Sequence, residues 1–343
     1  MFTMSGGSLP DFIYWHERDL ATEVDRCFLC GCSLTSTTRS DEHVFPQWLL
    51  DRYGIRKNKM QLLNGSNITY DRMLIPCCRK CNNEHLSKIE SEVSSAFSKG
   101  LSGVESLSRD TLFVWVGKIY YGVLFRELTL RSDLRDPNSL PIMDSEFMRL
   151  YATHHLLLQY ARGVVNWREG YCPASFLFFR CQESSNRRLN FDYFDIANLP
   201  FVAIRVGEVG IVCCLQDWGQ LAAYEDDPIL SRADSAKLHP QQFREVAARS
   251  AYAVSRIGTE VPHVPVYGPT AVTIMDPMLA GFYENLDLAE HDPESYAGLL
   301  SHALRQPIED LYDGSSTVSL LDDGEGQIQQ LPWSVDEWVR VSL

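Results

Sequence analysis

The chain has 343 residues, of which 45% are hydrophobic and 22% are charged. These are ordinary values for a globular protein with a sizeable core, and they exclude a wholly disordered, collagen-like or coiled-coil chain. The formal net charge of −14 argues against a surface that binds nucleic acid non-specifically over its whole extent.

The charge is unevenly distributed along the chain. Residues 1–100 contain 12 basic and 12 acidic side chains, whereas residues 281–343 contain 13 acidic side chains and only two arginines. The front of the chain can therefore approach a polyanion, while the acidic back would repel one.

The sequence predicts no membrane segment. The most apolar stretch, 112–128, contains Lys118, Arg126 and Glu127, so it is a poor transmembrane helix. The first residues show neither the basic start nor the apolar run of a secretory signal. We therefore expect a cytoplasmic protein without a membrane partner, in which cysteines stay reduced.

The predicted elements begin with a lead-in that contains one helical turn at 15–20. A motif-rich segment follows over 27–92, and the small residues of 91–103 indicate the end of a helix and then a linker. Apolar periodicity predicts long helices over 109–130 and 144–162.

Beyond residue 170 the sequence changes to patterns typical of strands. Aromatic and β-branched residues predict four strands, over 173–183, 191–196, 200–206 and 209–215. A hairpin turn is expected between the last two, a helix over 240–257, and then an acidic tail. We predict an α+β protein with an N-terminal domain at 1–100 and a larger regulatory or targeting α+β domain at 101–343.

Four of the ten cysteines are spaced as the ligands of a metal site are. Cys27 and Cys30 form one C-x-x-C pair, and Cys78 and Cys81 form a second. Two such pairs complete a tetrahedral four-cysteine zinc site, which is closed to substrate and therefore structural. The flanking thiols Cys32 and Cys77 do not keep the two-residue spacer, so they are not chosen as ligands.

The 47 residues between the pairs contain E-H-V-F-P at 42–46, and the second pair runs directly into Asn82. The order C-x-x-C, E-H-V-F-P, C-x-x-C-N resembles the HNH, or ββα-metal, endonuclease superfamily in its zinc-stapled, endonuclease VII-like form. The resemblance covers about 25–92. It implies an N-terminal ββα-metal fold in which a strand ends at His43 and a helix begins near Asn82.

The resemblance implies metal-dependent hydrolysis of DNA phosphodiester bonds. His43 is the candidate base that activates water, since an imidazole takes a proton near neutral pH. Glu42, where the family commonly has Asp, and Asn82 are the candidate oxygen ligands of a catalytic Mg²⁺ or Mn²⁺ ion. His85, three residues beyond Asn82 and expected on the same helical face, is a further ligand or phosphate contact, and Glu90 is a weaker candidate.

Other residues of this segment are candidates for support and binding. The sequence offers Asn64 and Asn67 to orient the base without choosing between them. Phosphate contacts supply affinity without reading sequence. The basic side chains that can make them are Arg52, Arg56, Lys57, Lys59, Arg79, Lys80 and Lys88.

Several alternatives stay open from the sequence. Asn82 is also a natural helix N-cap, and His43 can instead be a core histidine at a strand end. The chain can be a zinc-stapled nucleic-acid-binding or interaction module without nuclease activity, or an RNA-cleaving nuclease. A role in antiviral defence or in a mobile element rests on analogy. A homodimer, or a partner protein bound through the C-terminal domain, also stays open.

Overall fold

The structure is a computed structural model that describes residues 12–14, 25–128, 130–136, 138–140, 142, 145–224, 227–257, 263–275 and 289–332. It is a mixed α+β architecture, as the sequence predicts. The expected helical turn at 15–20 and part of the acidic tail lie outside the described residues. Within those residues, no helix is both long and apolar enough to span a membrane.

The chain forms two compact units, and neither is continuous in sequence. The first contains Met1–Ser95, Ser108–Cys172 and His263–Ala280, and the second contains Ala96–Leu107, Pro173–Pro262 and Gly281–Leu343. Residues Ser108–Cys172 therefore pack with the cysteine-bearing segment. The unit that contains the candidate site extends well beyond residue 100.

Short strands and one helix open the first unit. β1 (Glu42–His43) is followed by α1 (Gln47–Tyr53), and then by the antiparallel pair β2 (Lys59–Gln61) and β3 (Asn67–Thr69). β4 (Leu74–Ile75) returns to pair antiparallel with β1. The buried residues Val44 and Phe45 anchor this turn of the chain in the interior.

Two helices follow along the chain. α2 (Ser87–Phe97) lies largely in the first unit, and α3 (Leu101–Glu105) belongs to the second. The helix end expected within 91–103 is therefore confirmed at Phe97, whereas the linker expected after it is a three-residue turn. Only three residues separate the two helices, and Gly100 among them has a positive φ of 73° that other residues rarely adopt. Small residues there form helix ends and a tight turn rather than a linker.

The next helices fall where the periodicity predicts them. α4 occupies Arg109–Leu128 and α5 occupies Ser145–Leu158, with a 3₁₀ turn continuing to Arg162. A three-stranded sheet completes the first unit. Its strands are β5 (Val165–Trp167), β11 (Val264–Tyr267) and β12 (Val272–Met275), and β12 lies between the other two.

The middle of α4 is buried on every side. The apolar residues over 112–125 are almost completely inaccessible, and Lys118 lies among them at 2% exposure. The helix approaches the β1 region closely at Gly122, where an added Cβ atom would lie 2.6 Å from a methyl carbon of Val44. This contact sets how near α4 lies to the strand that carries His43.

The second unit is built on a five-stranded sheet that contains the four strands expected from the sequence. The strands are β6 (Ser175–Cys181), β7 (Phe191–Ile196), β8 (Phe201–Val206), β9 (Val209–Cys214) and β10 (Lys237–Leu238). Their order in the sheet is β10-β6-β9-β8-β7, and all pairs are antiparallel except β10–β6. Gly207, with φ of 63°, makes the tight turn of the β8–β9 hairpin.

Three helices accompany this sheet. They are α6 (Pro228–Asp234), α7 (Pro240–Ile257) and α8 (Pro293–Leu304). α7 packs on the sheet through Phe243 and Val246, and α8 packs on α7 around Tyr252 and Leu300. Buried polar side chains of α7 bind the backbone of the segment after α8. Gln242, for example, donates to the carbonyls of Leu320 and Gln329 at 2.8 Å.

Two helical glycines give a matched test of the approach of α4 to β1. Gly122→Ala should destabilise the protein by about 1–3 kcal/mol, because the new methyl group overlaps Val44. Gly298→Ala in α8, where no atom lies within 4 Å of an added Cβ, should stabilise it by about 0.5–1 kcal/mol through helix propensity. Denaturant unfolding measures both changes, and equal effects of the two substitutions would refute the close contact.

Candidate functional site

The four cysteines predicted as ligands come together at one point. The Sγ atoms of Cys27, Cys30, Cys78 and Cys81 all lie within 4.8 Å of one another. Those of Cys30 and Cys78 are 3.8 Å apart, which is the sulfur–sulfur distance of about 3.8 Å expected when zinc binds tetrahedrally at about 2.3 Å from each ligand. The donor set therefore fits a structural metal such as zinc.

The local turns are those that direct two thiolates at one ion. In the first pair, the N–H of Gly31 donates to the carbonyl of Cys27 at 2.8 Å, and Gly31 has a φ of 70°. The ring of Tyr14 fills the space that a side chain at Gly31 would need. In the second pair, the N–H of Cys81 donates to Sγ of Cys78 at 3.4 Å. Glycine is therefore required after Cys30 both for the backbone and for packing.

The two flanking cysteines lie outside the ligand group, as the sequence predicts. Cys32 is exposed. Cys77 is buried with its Sγ 4.0 Å from that of Cys27, and it donates to the carbonyl of Cys78. Cys77 therefore packs beside the cluster without joining it.

The end of α5 and the turn after it support the first cysteine pair. Nε2 of His155 lies 2.6 Å from the carbonyl oxygen of Phe28, and Arg162 donates to the carbonyl of Leu29 at 3.2 Å. Burial lowers the pKa of His155 to about 3, so the ring is neutral and donates through Nε2–H. Residues more than 100 positions away thus fix the loop between Cys27 and Cys30.

The segment between the pairs forms a short strand pair that is followed by a helix. Glu42 faces Ile75 and His43 faces Leu74 across β1 and β4. The helix begins at Arg79, and its residues Cys81–Leu86 are π-helical. π-Helical turns close by i→i+5 hydrogen bonds, so residues three apart are not aligned as they are in an α-helix. The α-helical spacing on which the expected shared face of Asn82 and His85 rests is therefore not the geometry of this turn.

Glu42 lies in the interior and is bound to a lysine. Nζ of Lys118 in α4 donates to Oε1 of Glu42 at 2.7 Å, to Oε1 of Glu90 at 2.6 Å and to the carbonyl oxygen of His43 at 2.8 Å. Burial lowers the pKa of Lys118, but the two carboxylates outweigh it and raise that pKa overall. The lysine is therefore a buried cation with three acceptors.

His43 is half-buried and faces a different set of groups from Glu42. Its Nδ1 lies 3.3 Å from the side-chain amide of Gln47 in α1. Burial, and then the positive charges of Lys118 and Arg56, lower the pKa of His43 below its usual value. The imidazole is therefore neutral at neutral pH, which is the form that accepts a proton.

The residue that holds the His43 ring is not one of the two predicted asparagines. Asn64 uses its amide to bind the carbonyl of Arg131 and the backbone of Ser66. Asn67 lies in β3, opposite Gln61. Gln47 takes the orienting position instead, four residues after His43, and that spacing across the β1–α1 turn is the signal in the sequence that indicates it.

Asn82 and His85 are placed near the start of the helix but in different surroundings from His43. The amide nitrogen of Asn82 donates to the carbonyl and hydroxyl oxygens of Ser40, just before β1. Burial lowers the pKa of His85, and the charges of Glu84, Lys80 and Arg162 also act on it. The hydrogen bonds of Asn82 join it to the β1 region, whereas among the described residues no hydrogen bond joins His85 to His43.

The arrangement does not fit a divalent ion held by Glu42 and Asn82. The ammonium group of Lys118 is bound to Glu42, and a second cation beside the same carboxylate would be repelled. The side chain of Glu42 is only 7% exposed. Glu42 as a catalytic metal ligand, expected from the resemblance, is therefore not supported by this geometry.

The predicted basic residues divide into two groups. Arg56 pairs with Asp51 through two hydrogen bonds of 2.6 and 2.7 Å, and Lys57 pairs with Asp71 at 2.5 Å. The others form no ion pair within the part of the chain that the structure describes. This second group consists of Arg52, Lys59, Arg79, Lys80 and Lys88.

Lys118 is the site residue that the sequence interpretation missed. It is the lone charged residue in the buried, otherwise apolar segment 112–125, where the sequence indicates only that the segment is a poor transmembrane helix. A buried lysine needs acidic partners, so the signal was present. The sequence does not show that those partners are Glu42 and Glu90, 76 and 28 positions away.

In comparisons with known proteins, no family model, no curated protein and no solved structure matches this chain. The four-cysteine cluster and its surroundings are therefore interpreted from their own geometry.

The cysteine cluster predicts a sharp difference between neighbouring thiols. Cys30→Ser or Cys81→Ser should lose the bound zinc and leave the front segment sensitive to protease, because ligation supplies folding free energy there. Cys32→Ser is the matched control, since it removes an exposed thiol two residues from a ligand. Zinc content and limited proteolysis are the measurements; full zinc in the Cys30 or Cys81 variant would refute the ligand set.

The buried His155 predicts a pH-dependent contribution to stability. His155→Phe removes the hydrogen bond to Phe28 and should destabilise the protein at pH 7 by about 1–2 kcal/mol. On acidification the unfolded state gains a proton near pH 6.5, whereas folded His155 stays neutral to about pH 3, so wild-type stability falls between these values.

The His155→Phe variant has no group that takes up this proton. The difference in unfolding free energy between it and wild type should therefore shrink by about 1–2 kcal/mol between pH 7 and pH 5. Denaturant unfolding at several pH values measures the difference. A difference that stays constant with pH would contradict the buried, neutral assignment of His155.

Proposed function

We propose that the chain is an HNH-type endonuclease that hydrolyses phosphodiester bonds of DNA, with the four-cysteine zinc site as its structural support. The observation that carries the proposal is the position of His43. A half-buried, neutral imidazole lies on β1, paired with β4, and the helix that follows begins at the cysteine cluster. This order of elements is the one that the resemblance implies.

His43 supplies the proton-accepting step. The atom of Gln47 that lies 3.3 Å from Nδ1 is its amide nitrogen, which donates to Nδ1 and leaves the ring hydrogen on Nε2. A flip of the amide, which puts its oxygen there to accept from Nδ1–H, leaves the lone pair of Nε2 to take the proton of an attacking water. The lowered pKa keeps the imidazole neutral near pH 7. No step is assigned to a divalent ion, since Glu42 is bound to Lys118 and does not offer the ligand that the resemblance implies.

Nucleic acid is the proposed substrate because of the unpaired basic groups around the site. Arg79 and Lys80 are exposed in the first turn of the helix that carries Asn82, and Lys88 is exposed further along it. Arg52 lies over the ring of Trp48, 5.0 Å from its centre, which holds the guanidinium in place at the surface. Such groups bind phosphates without reading bases, so DNA and RNA both fit.

A second function is supported by one observation. Because the carboxylate of Glu42 is engaged by Lys118, the chain can also be a zinc-stapled nucleic-acid-binding or interaction module without hydrolytic activity. The second unit would then serve to bind a partner protein or a second copy. The same assay separates the two functions.

The test is nicking of supercoiled plasmid in buffer with Mg²⁺ or Mn²⁺. We expect wild-type protein to nick the plasmid and His43→Ala to reduce the rate by about 100-fold or more, with zinc content and melting temperature unchanged. His291→Ala, which removes an exposed histidine of the second unit, is the control and should retain the wild-type rate.

Two results would contradict the proposal. If wild-type protein binds plasmid but cuts neither the plasmid nor a single-stranded RNA tested in parallel, the binding module is favoured. Equal nicking by wild-type and His43→Ala protein would rule out His43 as the base.

A further inference from the structure

Lys118 binds three oxygens that belong to the two elements of the proposed active site. Glu42 and the carbonyl of His43 lie on β1, and Glu90 lies on α2. A lysine ammonium group has three N–H donors, and all three are used here at 2.6–2.8 Å. Lys118 therefore joins β1, α2 and α4 at a single atom.

A second contact from the same helix reinforces the first. Gly122 follows Lys118 by four residues and so lies on the same face of α4. It packs against Val44, the residue after His43. α4 thus holds the chain on both sides of the His43 side chain, by a hydrogen bond to its carbonyl and by packing against its neighbour.

The bond to the His43 carbonyl distinguishes this cluster from a simple buried ion pair. Charge neutralisation would need only the two carboxylates, whereas the third hydrogen bond fixes the backbone of the proposed base. Among the residues that the structure describes, the imidazole of His43 makes one hydrogen-bond contact, the 3.3 Å contact with Gln47. The position of the ring therefore depends on the backbone that Lys118 binds.

We propose that Lys118 is a positioning residue for His43, and that Glu42 anchors the Lys118 ammonium group rather than binding a catalytic metal ion. The catalytic part of this inference rests on the proposed nuclease function. Its structural part, that Lys118 holds β1 in place, can be tested without any activity. The experiment below measures both parts on the full chain.

The first measurement is hydrogen–deuterium exchange of the peptide that covers β1. The reporter is the N–H of Val44, which donates to the carbonyl of Met73 at 2.9 Å. Lys118→Met should make this peptide exchange about tenfold faster or more, while the β8–β9 hairpin of the second unit stays unchanged. Lys99→Met, which removes an exposed lysine, is the matched control and should leave both peptides unchanged.

Lys118→Met alone leaves two carboxylates without their cation and can fail to fold. The triple variant Lys118→Met, Glu42→Gln and Glu90→Gln removes the charges together and should fold with zinc bound. We expect it to show faster exchange at β1 and a kcat about 10–100-fold below wild type, with KM within about twofold. Wild-type exchange at β1 together with wild-type kcat would overturn the positioning role.

The role of Glu42 is tested separately by titrating Mg²⁺ in the nicking assay. Glu42→Gln should lower the maximal rate without changing the Mg²⁺ concentration that gives half of it. A rise of about tenfold or more in that concentration would instead identify Glu42 as a metal ligand and overturn the inference. If wild-type protein does not cut DNA at all, the proposed function fails, and the exchange measurement alone decides whether Lys118 holds β1.

Discussion

The convergence of four thiols on one point is the constraint on which the rest of the candidate site depends. It joins 27–30 to 78–81, and so closes a loop of 47 residues that contains β1, α1 and the β2–β3 pair. These strands are only two or three residues long and bury little surface of their own. Short elements of this kind need a metal or a larger neighbour to persist.

The larger neighbour is provided by helices from further along the chain. α5 binds the backbone of the first cysteine pair through His155, and α4 binds the backbone of β1 through Lys118. In both cases a buried polar side chain of a helix donates to a main-chain carbonyl, and Lys118 donates to the carboxylates of Glu42 and Glu90 as well. This explains why residues beyond 108 belong to the same compact unit as the cysteines.

The sequence predicted the parts of the structure that depend on local pattern. The four cysteine ligands follow from spacing, and α4, α7 and the strands β6 to β9 follow from periodicity and β-branched content. It did not predict strands of two to four residues such as β5, β10 and β12, whose pairing is decided by distant partners. It also missed the π-helical turn over Cys81–Leu86.

In the candidate site, too, local pattern predicted some features and distant contacts decided the others. The resemblance implied that Glu42 would hold an ion while His43 activated water. Alternation along β1 does separate the two side chains, but it sends Glu42 into the interior and leaves His43 half-exposed. The pairing of Glu42 with Lys118 spans 76 residues, so no local pattern reveals it. A resemblance confined to 25–92 cannot contain Lys118, which lies in α4, two helices after α2.

X-ray absorption at the zinc edge of the purified full chain tests the central claim most directly. The account predicts one zinc per chain with four sulfur ligands at about 2.3 Å and no nitrogen or oxygen ligand. A spectrum with mixed sulfur and nitrogen or oxygen ligands, or a folded protein that contains no metal, would contradict the structural role assigned to the four cysteines.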